Sequence, residues 1–393
     1  MATIVRRTTL TLPAAPPGPG SPLPDLGALP VRRRPDRHTS LPSPVALDAI
    51  VVESDRLRAI VLPTLGGRLH SLSHKPSGRE LLPAEDAAHV QDRIYGFLPS
   101  PGPGLHAASV PAPGGGELLR LWEWEQPDDL PFHIDLWLPD GSDVLYAAVR
   151  VRNPHDRSVL VDGWPDAAVP GGGDPVRNPV GKRSRLQSGA EISWLEAYGP
   201  SAAEASLDAV HEAWLPVADT EPKESLATGS GWGALEVERG RFRLPGTPFA
   251  PSTLGEEQKP WLGLLLAGIF PRPPRNAPPG RPLVSPQWRE LLETADTYSG
   301  NEWYLEYYLG LAQWHAGDRA QAIRSWERSA ARHPGWAALR ALAFADQESG
   351  NAARATERYL AAIADAERAP HAEILTALRR EAAAVTPSLS RRS

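Results

Sequence analysis

Three side chains alternate along one short stretch. His133, Asp135 and Trp137 share a face of Phe132-His-Ile-Asp-Leu-Trp-Leu138, because successive residues of a strand point to opposite sides. An indole beside an imidazole and a carboxylate offers a stacking ring next to hydrogen-bonding groups, which is the chemistry that holds a sugar. The same alternation also describes a polar strand face with its tryptophan laid over a neighbouring loop. His70 and His74 invite a metal, but on a strand they stand about 13 Å apart and no carboxylate joins them at ligand spacing. Gly229-Ser-Gly-Trp-Gly233 has the glycines of a phosphate loop without its Lys-Ser/Thr pair or a preceding buried strand, and reads as a turn. The absence of cysteine excludes thiolate catalysis, disulfides and zinc sites built on Cys. No metal and no cofactor is expected.

A second candidate surface lies near the C-terminus. Tyr304, Tyr307, Leu311 and Trp314 recur at i, i+3, i+7 and i+10, an aromatic stripe on one helix, and Arg340, Phe344 and Gln347 hold the matching face of a later one. The two helices belong to a pattern that occurs twice, 33 residues apart: Trp303 recurs as Trp336, Leu309 as Leu342, Gly310 as Ala343, Gly317 as Gly350, Ala322 as Ala355 and Trp326 as Tyr359. That period, with small residues where helices meet and a glycine at each turn, is the signature of tetratricopeptide repeats. The pattern predicts helices over 303–316, 319–333, 336–349 and 352–366, with Asp318 and Asn351 placed to cap. Two repeats do not bury their faces alone. A helix from Ser285 through Trp288, Leu291 and Leu292 and one from His371 through Ile374 and Leu378 are the expected covers. The stripe then either packs on such a neighbour or lines a peptide groove.

The elements that must position these groups follow from composition and order. The chain has 393 residues, a net charge of −6, and 43 prolines beside 34 glycines. That leaves room for two or three domains, argues against a nucleic-acid partner, and contains no apolar run long enough for a membrane span. The expected setting is cytoplasmic. Residues 1–45 read as one strand (5–12) followed by a Pro-rich segment, and 46–199 as strands. In that second part Asp140-Gly141 turns a hairpin between 132–138 and 144–152. Residues 200–284 read as connecting helices, a short strand at 234–237 and a second Pro-rich spacer, and 285–386 as the repeats.

The stretch Glu53-Ser-Asp-Arg-Leu-Arg-Ala-Ile-Val-Leu-Pro-Thr-Leu-Gly-Gly-Arg-Leu-His-Ser-Leu72 looks like the opening of a galactose-mutarotase-like β-supersandwich, and Ile192-Ser-Trp-Leu-Glu-Ala-Tyr-Gly199 resembles its last strand. With the repeats downstream, the chain resembles the bacterial family called domain of unknown function 5107, which joins such a sandwich to tetratricopeptide repeats. The fold so implied is multidomain β plus α: a partial mutarotase-like β-sandwich followed by a tetratricopeptide-type α-helical repeat domain. Between 46 and 199 only about half of the strands show by periodicity, so the middle of the sandwich reads as missing or rewritten. The resemblance also implies a His acid and a Glu base on the concave face. Motif position selects Glu196 as the base, and His133 is the candidate acid. The function expected is non-catalytic binding of a peptide or protein partner through the repeats, with a carbohydrate as a possible second ligand. The alternative is a carbohydrate-active enzyme, a mutarotase-like epimerase or a glycoside hydrolase, using the His/Glu pair.

Overall fold

Strands form where β-branched and apolar residues alternate, and helices where the apolar period lengthens to 3.6. The computed structural model describes residues 3–14, 26, 43–82, 104–125, 129–161, 184–202, 206–273, 277–299, 302–368 and 372–385. Two compact units result: residues 1–18 with 37–254, and residues 19–36 with 255–393. The first is therefore wider than the 46–199 expected. It takes in the N-terminal strand and most of what read as a connecting segment.

In the first unit, β1 (Ile4–Ala14), β2 (Ser43–Glu53), β3 (Leu57–Leu62), β4 (Arg68–His74) and β5 (Arg79–Glu80) form one antiparallel sheet in that order. A second sheet contains β6 (His106–Pro111), β7 (Glu117–Glu125), β8 (Leu130–Trp137), β9 (Leu145–Arg152), β12 (Glu191–Tyr198) and β13 (Glu224–Ala227). Its order is β12-β9-β8-β7-β6-β13, while β10 (Val159–Val161) and β11 (Ser184–Leu186) pair separately. Inward residues of both sheets make one core: Val52, Leu57, Ala59 and Val61 from the first meet Leu119, Leu121, Ile134, Leu136, Ala147 and Val149 from the second. This is a sandwich, and the hairpin at Asp140-Gly141 joins β8 to β9 with Gly141 at φ 67°. The Pro-rich stretch beyond Ala14, the Arg32–Arg34 run, and residues 83–103 and 162–183 lie outside the described residues.

The face of the second sheet turned away from that core is covered by residues 206–254, downstream of its strand β12. Helix α1 (Leu207–Trp214) packs on Val110, Leu118, Trp137, Tyr146 and Leu195. Helix α2 (Trp232–Gly240), with Phe249, packs on Ala108, Trp122 and Trp124. The strand expected at 234–237 is thus helical. Four residues, Ala-Leu-Glu-Val, are too few to choose a period, and packing chose. Gly233 permits the fit, since a Cβ there would sit 2.1 Å from the Phe249 ring. Gly229 likewise lies where a Cβ would meet His106 and Glu123, at 2.6 and 2.7 Å, so these two glycines of the 229–233 stretch serve close packing.

The second unit is helical: α3 (Lys259–Ala267), α4 (Pro286–Ser299), α5 (Trp303–His315), α6 (Arg319–Arg332), α7 (Trp336–Glu348), α8 (Ala352–Ala366) and α9 (Ala372–Val385). Helices α5/α6 and α7/α8 are the two hairpins, with α4 packed on α5 and α9 on α8. Gly317 and Gly350 end α5 and α7 at φ 88° and 76°, the left-handed conformation that glycine adopts without cost. The caps differ from expectation. The Asn351 side chain accepts from the Arg354 amide at 3.2 Å, but Asp318 makes no cap bond and pairs with Arg289 instead. Trp288 and Leu292 of α4, and Ile374 and Leu378 of α9, are buried.

Candidate functional site

On the sandwich, β8 does put His133, Asp135 and Trp137 on one face, but that face is closed. Their exposures are 1%, 0% and 2%. Asp135 sits opposite Arg120 of β7 and takes two bonds from its guanidinium, Nε to Oδ1 at 2.7 Å and Nη2 to Oδ2 at 2.6 Å. The remaining Arg120 donors reach the carbonyls of Val217, Thr220 and Gly246 at 2.9–3.1 Å. The Trp214 indole adds a third bond to Asp135 at 2.8 Å. All five guanidinium N–H groups are thereby spent on Asp135 and on the segment that covers the face. Trp137 tilts against Tyr146 at 5.4 Å, and His133 meets the Trp214 ring edge-on at 5.8 Å. Burial holds the His133 imidazole well below the ordinary histidine value, and Arg120, Arg152 and Arg150 push the same way. A neutral, enclosed imidazole is not the imidazolium that a general acid would supply near neutral pH.

Glu196 is on the other side of the sheet. Its register partner is Ala147, in line with Leu136 on the core face, whereas His133 pairs with Arg150 on the covered face. The carboxylate accepts the Trp194 indole N–H at 2.9 Å and the Tyr198 hydroxyl. Burial first, then Glu196, raises Tyr198 well above its ordinary value. The acid and base implied by resemblance therefore do not converge: the sheet separates them. His70 and His74 also stay apart in function, since His74 bonds Asp143 and Ser77 at 2.9 and 2.7 Å. Among the described residues no cluster could hold a metal ion.

In the helical unit the aromatic stripe is largely interior. Tyr304 packs on Phe270 at 6.0 Å, and buried Tyr307, whose hydroxyl burial pushes up to about 12, gives its carbonyl to the Trp326 indole at 3.2 Å. Trp314 lies between Trp326 and Phe344, at 5.3 and 5.7 Å. Arg340 is buried in an ion pair with Glu381 of α9, at 2.7 and 2.8 Å. Phe344 is half-buried and Gln347 exposed. Of the residues read as a peptide groove, only these last two face outward.

A concavity opens elsewhere on the unit, a pocket of about 150 Å³ lined by Trp303, His333, Gly335, Trp336, Asp365 and Arg368 among others. Trp303 and Trp336 are the same position of the two repeats, each the first residue of its helix. The Trp303 and His333 rings stand 4.7 Å apart. Asp365 reaches across from α8 and accepts the Trp336 amide at 2.8 Å, supplying the cap that Gly335 cannot. Its other oxygen takes Arg368 at 2.8 Å, an arginine that is itself exposed. The recurrence of tryptophan at 33 residues was the one signal in the sequence for this pocket. His333 and Asp365 carried none, because turn and helix packing bring them in.

No family model matches the chain. No curated protein matches it either. Among solved structures, a TPR-domain containing protein from Parabacteroides distasonis ATCC 8503 is similar in fold, with TM-score 0.55 and 12% identity over 92% of this chain and 80% of that one. The likeness is one of fold: a sheet-rich N-terminal part followed by a helical C-terminal part. No helix among the described residues is long and apolar enough to cross a membrane.

Proposed function

We propose that this chain is a non-catalytic interaction protein whose helical unit, built from tetratricopeptide-type pairs, holds a peptide or protein partner at the pocket between Trp303 and Trp336. The observation that carries this reading is the pocket itself: an aromatic wall contributed by equivalent positions of two successive repeats, with the Asp365 carboxylate beside it. Indole faces and a carboxylate suit a lysine or arginine side chain of the partner. The Asp365–Arg368 pair, whose arginine is exposed, is worth little in water, so an incoming cation competes with it easily. Kinship of the sandwich with galactose mutarotases rests on residues 53–72 and 192–199, and kinship of the chain with domain of unknown function 5107 on these together with the repeats. Carbohydrate turnover is the weaker reading, because Glu196 and His133 face opposite ways and both are buried.

A peptide-display selection on the purified chain tests the proposal. Binders enriched in Lys or Arg are expected, with affinity lost in Trp336→Ala and weakened about tenfold in Asp365→Asn, which keeps an oxygen for the Trp336 amide but removes the charge. Binders indifferent to both changes, or hexose turnover abolished by Glu196→Gln, would overturn it.

A further inference from the structure

One buried hydrogen bond of the helical unit comes from very far away in sequence. The Trp314 indole N–H donates to the carbonyl of Leu26 at 3.1 Å, across 288 residues. Leu26 is 3% exposed and Trp314 6%. Two other indoles of this unit find acceptors nearer in the chain: Trp326 uses Tyr307, and Trp261 uses Arg281. Trp314 lies at the end of the aromatic stripe, next to Phe344, with the Arg319 guanidinium 3.7 Å over its ring. The surface continues past it to half-buried Phe344 and exposed Gln347. A buried indole N–H without an acceptor costs about 1–3 kcal/mol, so this end of the stripe requires a carbonyl from some chain.

We propose that Leu26 is an in-cis occupant of a peptide site on the repeats, and that the same place takes a leucine-bearing segment of a partner by the same two features: a buried apolar residue and a backbone carbonyl on Trp314. This rests on the reading of the helical unit as a peptide-binding module, and it names a second position on that unit, distinct from the Trp303/Trp336 pocket. The occupant belongs to Pro24-Asp-Leu-Gly-Ala-Leu-Pro30, a sequence with proline at both ends. Occupancy in cis acts as a threshold. A tethered segment competes at an effective concentration on the order of 1 mM, so a partner must bind better than the chain binds itself.

The experiment uses the full chain and a fluorescein-labelled peptide of residues 19–36, with binding read by anisotropy. The full chain carrying Leu26→Asp is expected to bind that peptide about tenfold more tightly than the unaltered chain. Adding Trp314→Phe, which keeps a ring but removes the N–H, should undo most of the gain, and a peptide carrying the same Leu26→Asp change should not bind. Equal affinity for the unaltered and Leu26→Asp chains would overturn the proposal, as would a peptide that binds neither. If Leu26→Asp abolishes the cooperative melt, Leu26 is a core residue and the proposal also falls. In any of these cases Lys- or Arg-rich binders lost on Trp336→Ala would still stand, so failure here is separable from failure of the broader reading.

Discussion

The sandwich and the helical unit treat their candidate surfaces in opposite ways. The sandwich closes its outer sheet face with residues 206–254 and locks the cover by a fully buried ion pair, Arg120–Asp135. The helical unit covers most of its aromatic stripe with its own helices but leaves a pocket between equivalent residues of its two repeats. The difference is that one surface is closed by its own chain and the other keeps an opening. Arg120, Asp135 and Trp214 satisfy one another on that face, His133 Nε2 alone of the named groups has no partner, and the face is core whatever its residue types suggest.

The sharpest way to break this comparison is to remove the lock. Asp135→Ala leaves a buried guanidinium without its carboxylate, and breaking such a pair costs about 3–5 kcal/mol. Hydrogen exchange should show β8 and β9 amides losing protection while α5 and α7 keep theirs. If protection in β8 is unchanged, the covering segment is not held by this pair.

A smaller effect is expected within the repeats. Gly310 and Trp326 of the first hairpin recur as Ala343 and Tyr359 in the second, and a Cβ on Gly310 would fall 2.3 Å from the Trp326 ring nitrogen. The smaller residue faces the larger ring in each pair. Gly310→Ala should therefore destabilise α5/α6 by about 1–3 kcal/mol through overpacking, despite alanine's better helix propensity. Adding Trp326→Tyr should recover much of the loss. A double-mutant cycle with no coupling would show that the two positions are not matched in size.

A graded effect separates the units by pH. Burial lowers His70, His106, His133, His155 and His211, all in the sandwich, below the ordinary value of 6.5. Below that pH the unfolded chain takes up protons that the folded one refuses. The stability is therefore present above 6.5 and is lost as pH falls beneath it. His133 alone contributes up to ~1.4 kcal/mol per pH unit. Between pH 7 and 5.5 the sandwich amides should lose protection more than those of α5–α8, and His133→Gln should flatten the slope. A pH-independent sandwich would contradict the burial of these rings.

Much of the architecture was legible in the residues alone. The four repeat helices run over Trp303–His315, Arg319–Arg332, Trp336–Glu348 and Ala352–Ala366, within a residue of the ranges that the 33-residue recurrence predicts. The hairpin at Asp140-Gly141 and the covering helices α4 and α9 also follow from local pattern. The site was less legible. Glu196 and His133 were paired by resemblance, and register places them on opposite faces. The Asp365 cap had no local signal, because it crosses from α8 to the start of α7.

Period, turn chemistry and the repeat are set by residues within a few positions of one another, and so the sequence by itself determined them. Alternation along β8 likewise sorted His133, Asp135 and Trp137 onto one face. It did not say whether that face meets water. That was decided by carbonyls of Val217, Thr220 and Gly246, about a hundred residues downstream, closing on Arg120, and in the repeats by a leucine 288 residues from its tryptophan. Periodicity carries direction but no partner, and a surface becomes core or site according to the partner that tertiary packing brings to it.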